Sequence, residues 1–364
     1  MSASIYCILP VRERFRPADA GAVALCVKEQ IQLSRYEKKS VVVGALDGGF
    51  DGINYQQVLP FFSLALGKSY AYSVACCRYL KKQSPTLIEV HNRVPLFLAI
   101  QRALPNVPCC LFLHNDPQGM EGCKTAKQRQ HILQKAAVVY CVSDYVRQRF
   151  LDGVSLYHER VEVIYNGVSL PSTGVAKQKI VTYAGRLIPE KGIMELVQAM
   201  AQLLPNYPDW RFEVIGAYGF GRPLGETPFE QQLMAEAQPA AQQIHFAGHV
   251  PQTSVMQQLA ESAIVVVAST GIDAFPRVPI EAMAHGCAVL TSASGGLKEM
   301  TSGSPYCIEQ VTPSTLKAAL EPLLQQPQKL AAAQAWAKHR ITACFVASAQ
   351  IAKLDACRMA LLGE

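Results

Sequence analysis

Residues 179–203 read KIVTYAGRLIPEKGIMELVQAMAQL, and this stretch decides the fold. An apolar run ends at Gly185, and an amphipathic helical pattern follows over 193–203. A buried strand that ends in a glycine turn and leads into a helix is typical of a parallel α/β sheet. The turn carries Arg186 and Lys191, which are placed to converge on a phosphate pair where the helix dipole adds positive potential. Taken alone, the same pattern also fits a solvated turn.

Apolar runs of the same kind recur along the chain, separated by stretches long enough for helices. In the first half we predict strands at 3–10, 39–46, 86–91, 109–114, 137–143 and 161–167. In the second half we predict strands at 179–185, 210–216, 243–248, 263–269 and 287–293. Two such blocks predict two Rossmann-like domains with parallel sheets, and the polar segment 168–178 is the predicted linker.

Nearly every predicted strand ends in a residue suited to contact a ligand. These residues are His91, His114, Ser143, Asn166, Gly185, Gly216, Gly248 and Ser269. Because ligands bind at the carboxyl ends of parallel strands, we expect the two sheets to face a central cleft. Polar residues also end buried strands simply because loops follow, and this accounts for part of the pattern.

The composition excludes several classes of protein. With 364 residues, 50% hydrophobic and 17% charged, the chain is neither disordered nor collagen-like nor a coiled coil. No apolar run approaches the roughly 18 residues that span a bilayer. The N-terminal charges follow the first apolar stretch, the reverse of a secretory signal, and this predicts a cytoplasmic protein. The 12 cysteines include no CxxC pair, so we expect free thiols in the core.

Charge is distributed unevenly along the chain. Residues 1–170 contain 20 Lys and Arg against 13 Asp and Glu, net +7, whereas 171–364 carry −1. This imbalance indicates that the first lobe meets an anionic surface or substrate. Within segment 122–136, Lys124, Lys127 and Lys135 are predicted on one helical stripe with His131, a pattern that fits an anionic membrane surface or a merely solvated face. The arginine-rich loop 12–16 could contact acceptor phosphates.

Two acidic residues follow in the stretch 269–286, STGIDAFPRVPIEAMAHG. Asp273 is expected on the loop after a strand, and Glu281 in the first turn of the next helix. Two such carboxylates can accept hydrogen bonds from the hydroxyl groups of a sugar and a ribose. Downstream, Gly295 and Gly296 allow a backbone to approach a ligand closely before another helix begins.

The three segments in this order resemble the family 4 glycosyltransferases, which have the GT-B fold. The family signature is Gly-Arg-x4-Lys-Gly, then Glu-x7-Glu before Ala-Met-Ala-x-Gly, then Gly-Gly. The resemblance is strongest over 161–300, and it implies an acceptor-binding domain at 1–168 and a nucleotide-sugar domain at 169–342. It also implies that a C-terminal helix at 343–364 crosses back to the first domain.

The resemblance assigns roles to residues of this chain. It implies that Arg186 and Lys191 bind the donor diphosphate, that Glu281 binds the ribose and that Asp273 contacts the transferred sugar. His114 is the candidate to orient the sugar and the reaction centre. His91 is interpreted instead as a hydrogen-bonded residue at a strand end. The remaining donor-binding candidates are Gly21, Gly185, Phe275, Pro276, Arg277, Val278, Gly295, Gly296 and Leu297.

The chain departs from the family pattern at three places. Asp273 is one methylene shorter than the usual Glu, and Pro276 replaces a common Gly and removes a backbone N–H. Ala20 and Gly21 stand where the family has a Gly-Gly turn that contacts the phosphates and the acceptor. The first two departures bear on which sugar is transferred and not on the type of reaction.

The predicted function is retaining transfer of a hexose, glucose or N-acetylglucosamine, from a UDP-sugar to lipopolysaccharide core or another lipid-linked surface saccharide. No DxD triplet occurs, so we expect metal-independent catalysis. We also expect no bound cofactor and no nucleic-acid partner. The alternatives are a UDP-sugar epimerase of the same architecture and a two-lobed sugar-binding protein. A dinucleotide dehydrogenase fits less well, because the glycines of 216–221 are irregularly spaced.

Overall fold

The structure is a computed structural model that describes residues 4–60, 67–172, 174–219 and 222–364. Ala3 of the first predicted strand, Thr173 of the predicted linker and Gly221 of the irregular glycine run lie outside these residues. The chain divides into two compact units. The first unit contains Met1–Gly167 together with Ala347–Glu364, and the second contains Val168–Val346.

The first unit is built on a parallel sheet of seven strands. The strands are β1 (Ile5–Ile8), β2 (Ser40–Gly44), β3 (Tyr55–Gln57), β4 (Leu87–His91), β5 (Cys109–Leu113), β6 (Val139–Cys141) and β7 (Val161–Val163). Their order is β3-β2-β1-β4-β5-β6-β7. The register pairs Ile8 with Val90 and His91 with Phe112, so neighbouring strands end close together.

Helices connect these strands, as the right-handed crossovers of a parallel sheet require. The α-helices described within residues 4–167 are α1 (Ala22–Gln32), α2 (Lys68–Gln83), α3 (Val94–Ala103), α4 (Ala126–Lys135) and α5 (Asp144–Leu151). The core beneath α1 contains Phe15, Tyr36 and Leu354, all at most 1% exposed. Leu354 belongs to the C-terminal helix, which packs on the first unit.

The second unit contains a parallel sheet of six strands in the order β10-β9-β8-β11-β12-β13. The strands are β8 (Gln178–Ala184), β9 (Arg211–Ile215), β10 (Ile244–Gly248), β11 (Ser262–Val267), β12 (Ala288–Ser292) and β13 (Cys307–Ile308). This is the doubly wound order, in which β8 and β11 are parallel neighbours and strands are added outward from them in opposite directions across the sheet. The α/β class with two parallel sheets is confirmed.

The helices of the second unit are α6 (Ile193–Leu203), α7 (Pro228–Glu236), α8 (Gln252–Glu261), α9 (Arg277–Ala284), α10 (Leu297–Met300), α11 (Pro313–Gln325) and α12 (Pro327–Cys344). Helix α6 has the predicted bounds and buries Leu196, Val197 and Met200 at helical spacing. Among the described residues, no helix is both long and apolar enough to cross a bilayer.

The structure differs from the sequence prediction in three elements. Strands β3 and β13 were not predicted, because three residues and two residues are too few to form a recognisable apolar run. The C-terminal helix, α13 (Ala347–Leu362), begins four residues later than predicted. It starts there because Phe345 leaves helical geometry, with φ −130° and ψ 22°, and its ring is buried.

Candidate active site

The turn after β8 holds the first two predicted site residues. Gly185 follows the strand, a 3-10 turn spans Pro189–Lys191, and Gly192 is the N-cap residue of α6, with φ +64°. A Cβ atom on Gly192 would lie 1.9 Å from the carbonyl oxygen of Ala268, so only glycine allows this close approach. Local sequence therefore brings the turn against the end of β11.

Arg186 and Lys191 occupy different environments in this turn. The Arg186 side chain is exposed, and no described residue forms a hydrogen bond or an ion pair with its guanidinium. Its backbone carbonyl accepts a hydrogen bond of 2.7 Å from the hydroxyl of Tyr183, and burial raises the pKa of that tyrosine. The Arg186 backbone is therefore held in place while its charge faces outward.

Lys191 is paired with Asp273, which lies on the loop after β11. The Lys191 ammonium donates to one carboxylate oxygen of Asp273, and the Ser269 hydroxyl donates to the other. The two side chains of the ion pair are 22% and 12% exposed. The structure thus brings together two residues that the sequence placed 82 positions apart.

The Gly295–Gly296 turn supports Asp273 from the other side. The Gly296 N–H donates to the Asp273 carbonyl oxygen at 2.8 Å. Gly295 has φ +55°, and a Cβ atom there would lie 2.3 Å from that same oxygen. The glycine pair therefore packs against the site loop itself, while the side chain of Leu297 is fully buried.

Glu281 lies on α9 in a second, separate pair. The helix begins at Arg277, so Glu281 is in its second turn and the prediction of a first-turn position was wrong. Arg277 Nε donates to Glu281 Oε1 at 3.0 Å, and Gln252 Nε2 approaches the same oxygen at 3.4 Å. Because the helix starts before Pro279, the spacing i to i+4 joins Arg277 and Glu281 on one face.

The residues between the two acids form the start of α9. Pro276 is the N-cap residue, with φ −68° and ψ 150°. Phe275 is 4% exposed and its ring packs edge-on against Phe345 at 5.4 Å between centroids. The Val278 side chain is partly exposed. The side chain of Phe275 is therefore part of the hydrophobic core of the second unit.

In the first unit, His114 follows β5 and contacts His91 at the end of β4. The distance from His91 Nδ1 to His114 Nε2 is 3.1 Å, and both rings are buried. Burial lowers the pKa of His114 to about 4 and lowers the pKa of His91 well below its ordinary value. Both imidazoles are therefore neutral near pH 7.

The turn at Gly21 carries a residue that sequence reasoning missed. Glu13 Oε1 accepts the N–H of Ala24 at 3.0 Å, and a Cβ atom on Gly21 would lie 2.4 Å from this oxygen. Burial raises the pKa of Glu13. A carboxylate of the chain thus lies at the N-terminus of α1, the end that the helix dipole makes attractive to a phosphate.

The basic segments 12–16 and 122–136 differ in how many of their charged side chains are already paired within the protein. Arg14 and Arg16 both bond to Asp19, and the side-chain hydrogen bond from Arg16 holds the pKa of Asp19 well below its usual range. Lys127, His131 and Lys135 are exposed on α4. Lys124 precedes this helix, whose N-cap is Thr125, so the predicted helical stripe of four residues is shorter by one.

Among the residues that the structure describes, one buried group of potential metal ligands lies in the first unit: Cys7, Glu89 and His91. Both Glu89 carboxylate oxygens accept hydrogen bonds from Arg358 on α13, at 2.8 Å each. A cation placed there would face a buried guanidinium. The group is therefore an ion-pair network and does not suit a metal ion.

Two family models match the chain. "Glycosyl transferases group 1" matches residues 171–340, and "Glycosyltransferase Family 4" matches residues 34–171. The chain is 27% identical to YtcC of Bacillus subtilis (strain 168), over 69% of this chain and 63% of that protein. It is 24% identical to the lipopolysaccharide 1,2-N-acetylglucosaminetransferase of Salmonella typhimurium, over 60% and 57% of the two chains. The aligned region spans less than two-thirds of either relative.

A solved structure resembles the whole chain. Anabaena Alr3699/HepE, in complex with UDP and glucose, superposes with a TM-score of 0.78 at 18% identity, covering 98% of this chain and 100% of that chain. This similarity confirms the GT-B fold. The fold consists of two Rossmann-like units, and the second unit brings a basic turn and an acidic loop together.

The two family models complete the assignment. The chain belongs to the family 4 glycosyltransferases. The family models and the named glycosyltransferase relatives support a transferase rather than the epimerase or binding-protein alternatives.

Proposed function

We propose that this glycosyltransferase transfers a hexose, glucose or N-acetylglucosamine, from a UDP-sugar to lipopolysaccharide core or another lipid-linked surface saccharide. The transfer retains the anomeric configuration and needs no metal ion. The observation that carries the proposal is the arrangement after β8, where exposed Arg186 and partly buried Lys191 flank one turn and Asp273 is bonded to Lys191.

In this proposal the second unit binds the donor. Arg186 grips the diphosphate through its planar guanidinium, and Lys191 supplies a point charge. Together with the α6 N-terminus they stabilise the leaving nucleotide diphosphate, the role that a metal ion has in other nucleotide-sugar enzymes. Glu281 accepts hydrogen bonds from the ribose, and Asp273 accepts them from hydroxyl groups of the sugar.

The backbone around these acids completes the proposed donor site. The segment 275–278 and the turn Gly295–Leu297 would contact the donor through peptide groups, since Phe275 and Leu297 have buried side chains. Gly185 would contribute by the same means. Because Pro276 has no backbone N–H, the site has one hydrogen-bond donor fewer for the sugar hydroxyl groups. The Asp273 side chain is one methylene shorter than Glu, so its carboxylate reaches less far toward the sugar. Both residues would therefore restrict which sugar is transferred.

The proposed reaction places little demand on side chains. The acceptor hydroxyl attacks the anomeric carbon on the face from which the nucleotide diphosphate leaves. The leaving phosphate oxygen takes the acceptor proton as the new glycosidic bond forms and the old bond breaks. His114, and Gly21 in the first unit, would orient the sugar and the acceptor.

The choice of donor and acceptor is supported by the relatives. The Anabaena structure contains UDP and glucose, and the Salmonella relative is named for N-acetylglucosamine transfer to lipopolysaccharide. The net charge of +7 in residues 1–170 suits an anionic acceptor or membrane face. We place the acceptor in the first unit and propose peripheral contact with the inner face of the cytoplasmic membrane through Lys124, Lys127 and Lys135.

The test is a donor panel measured by nucleotide release. UDP- and GDP-sugars are incubated with the protein in EDTA, with and without lipopolysaccharide core acceptor. The variant Arg186→Ala is compared with Arg211→Ala. Arg211 is an exposed arginine at the start of β9, whereas Arg186 follows the carboxyl end of β8. We expect one UDP-hexose to be consumed, activity to be lost in Arg186→Ala and to be kept in Arg211→Ala.

Further measurements test the stereochemistry, the metal independence, the donor nucleotide and the membrane contact separately. Proton NMR of the new glycosidic bond shows retention as an unchanged anomeric configuration. Inversion, an absolute requirement for added Mg²⁺ or Mn²⁺, or turnover of GDP-sugars alone would each contradict the corresponding part of the proposal. Sedimentation with anionic vesicles, lost in Lys127→Glu/Lys135→Glu, tests the membrane contact.

A further inference from the structure

The two histidines of the first unit form a pair with a defined direction. His91 and His114 end adjacent strands, and their rings stack at 5.4 Å between centroids with an angle of 29°. One hydrogen bond joins His91 Nδ1 and His114 Nε2 at 3.1 Å. Because each neutral imidazole has one donor and one acceptor nitrogen, this bond leaves two arrangements of protons.

The backbone of the turn after β4 fixes the position of His114. Asn92 adopts a left-handed conformation, φ +56°, and its N–H donates to the Phe112 carbonyl at 2.7 Å. Its side-chain oxygen accepts the N–H of His114 at 3.2 Å. The His91 ring also stacks on Phe112 at 4.5 Å. The pair is therefore held from both the backbone and the ring faces.

The surroundings of His91 select one arrangement. His91 Nε2 is buried and has no hydrogen-bond partner among the residues that the structure describes. The guanidinium of Arg358, bound to Glu89, disfavours positive charge on His91, and so does His114. A ring nitrogen of His91 lies within 4.8 Å of a Glu89 carboxylate oxygen, whose charge is paired with Arg358. The missing hydrogen-bond partner therefore decides the arrangement, because a buried N–H without a partner is rarer in proteins than a buried lone pair without one.

The proton of His91 is therefore on Nδ1, which donates to His114 Nε2. His114 then carries its own proton on Nδ1, since a neutral imidazole has only one. Within the described part of the chain, the His114 ring forms its hydrogen bond through Nε2, and its Nδ1 has no hydrogen-bond partner. His114 can thus donate a hydrogen bond through Nδ1, and its Nε2 is occupied as an acceptor.

We propose that His91 is a positioning residue that holds His114 in the Nδ1–H tautomer, so that His114 donates a hydrogen bond to a substrate oxygen and does not act as a base. This inference rests on the proposed function, in which His114 contacts the sugar. It gives His91 a role beyond filling the core, and it identifies the substrate atom at His114 as a hydrogen-bond acceptor.

The first test needs no turnover. In the full-length protein labelled with ¹⁵N-histidine, two-dimensional NMR distinguishes protonated from unprotonated ring nitrogens. His114→Gln and His91→Asn spectra assign the signals. We expect His114 to be protonated at Nδ1 and unprotonated at Nε2 near pH 7. Protonation at Nε2 would overturn the inference, whatever the enzyme transfers.

The second test compares two substitutions of His91. The variant His91→Asn places an amide hydrogen-bond donor near the position of His91 Nδ1, whereas His91→Leu leaves no donor there. We expect His91→Leu to lower kcat about tenfold, the lower end of what loss of an orienting partner costs, with KM for the donor unchanged. His91→Asn should restore most of kcat and the His114 tautomer, and His339→Gln, at an exposed position, should change neither.

The two variants also separate positioning from stability. Equal losses of kcat in His91→Asn and His91→Leu, tracking their melting temperatures, would overturn the positioning role. A wild-type protein that turns over no donor would contradict the proposed function, and the NMR result would still decide the tautomer. The two failures are therefore distinguishable.

Discussion

Lys191 and Asp273 form an ion pair in the second unit, although one is proposed to bind phosphate and the other a sugar. Each would be less available to its ligand while the pair persists. A donor diphosphate near Lys191 would compete with the Asp273 carboxylate for the same ammonium group. Donor binding is therefore expected to loosen this pair and free Asp273 for the sugar hydroxyls.

The pair predicts opposite effects of two substitutions on UDP binding. Lys191→Ala should weaken UDP binding about tenfold to a hundredfold, since a charged hydrogen bond contributes about 1.5–3 kcal/mol. Asp273→Asn should strengthen UDP binding, because it removes a competing negative charge, and should still impair sugar transfer. Isothermal titration calorimetry measures UDP binding, and nucleotide release measures sugar transfer.

Lys179→Ala is the matched control, because Lys179 also pairs with an aspartate but lies exposed at the start of β8. It should leave UDP binding unchanged. Weaker UDP binding by Asp273→Asn would contradict the competition between Asp273 and the diphosphate.

The buried pair of Arg277 and Glu281 predicts a large effect on stability. Arg277→Ala would leave the Glu281 carboxylate buried without this partner, and should lower the free energy of unfolding by about 3 kcal/mol. The double variant Arg277→Ala/Glu281→Gln should recover part of that loss, because no charge remains. Urea denaturation measures both, with Arg211→Ala as the exposed control, expected to cost at most about 1 kcal/mol.

Arg358 predicts how the C-terminal helix is held. Its side chain and that of Glu89 are completely buried, so Arg358→Met should destabilise the protein by about 3–5 kcal/mol. Hydrogen exchange in α13 should accelerate in that variant and slow again in Glu89→Gln/Arg358→Met. The exposed Lys353→Ala on the same helix should have little effect, and unchanged exchange in Arg358→Met would be inconsistent with this anchoring role.

The lowered pKa of His114 predicts a specific pH dependence. The unfolded chain binds a proton at this histidine near pH 6.5, whereas the folded protein binds it only near pH 4. Because the unfolded state binds more protons between these values, stability should fall as the pH drops from about 6.5 to about 4. His114→Gln should flatten this slope in urea denaturation, and His339→Gln should not.

Glu13 predicts a test of the first glycine turn. Glu13→Ala removes the acceptor of the Ala24 N–H and should cost about 1 kcal/mol of stability, as loss of a helix cap does. If the Gly21 turn contacts the donor phosphates, removing this carboxylate should also strengthen UDP binding. Glu121→Ala, at an exposed position, is the control for both measurements. Weaker UDP binding by Glu13→Ala would contradict this prediction and would indicate that Glu13 itself contributes to UDP binding.

Much of the architecture follows from the sequence. Alternating apolar strands and helical segments predicted both parallel sheets, and α6 was predicted to the residue. Local spacing encodes these elements because burial on both faces of a parallel strand requires a continuous apolar run. The short edge strands β3 and β13 were missed, since three residues and two residues are too few to form such a run.

The sequence by itself determined the fold class, the family and the residue types after each strand, because these depend on local pattern and spacing. Only the tertiary structure decided their partners. Lys191 meets Asp273, His91 meets His114, and Glu13 meets the start of α1. These contacts join loops and strands that lie far apart in sequence, and which ends become neighbours depends on strand order and register. A side chain's charge, tautomer and availability to a ligand follow from those neighbours.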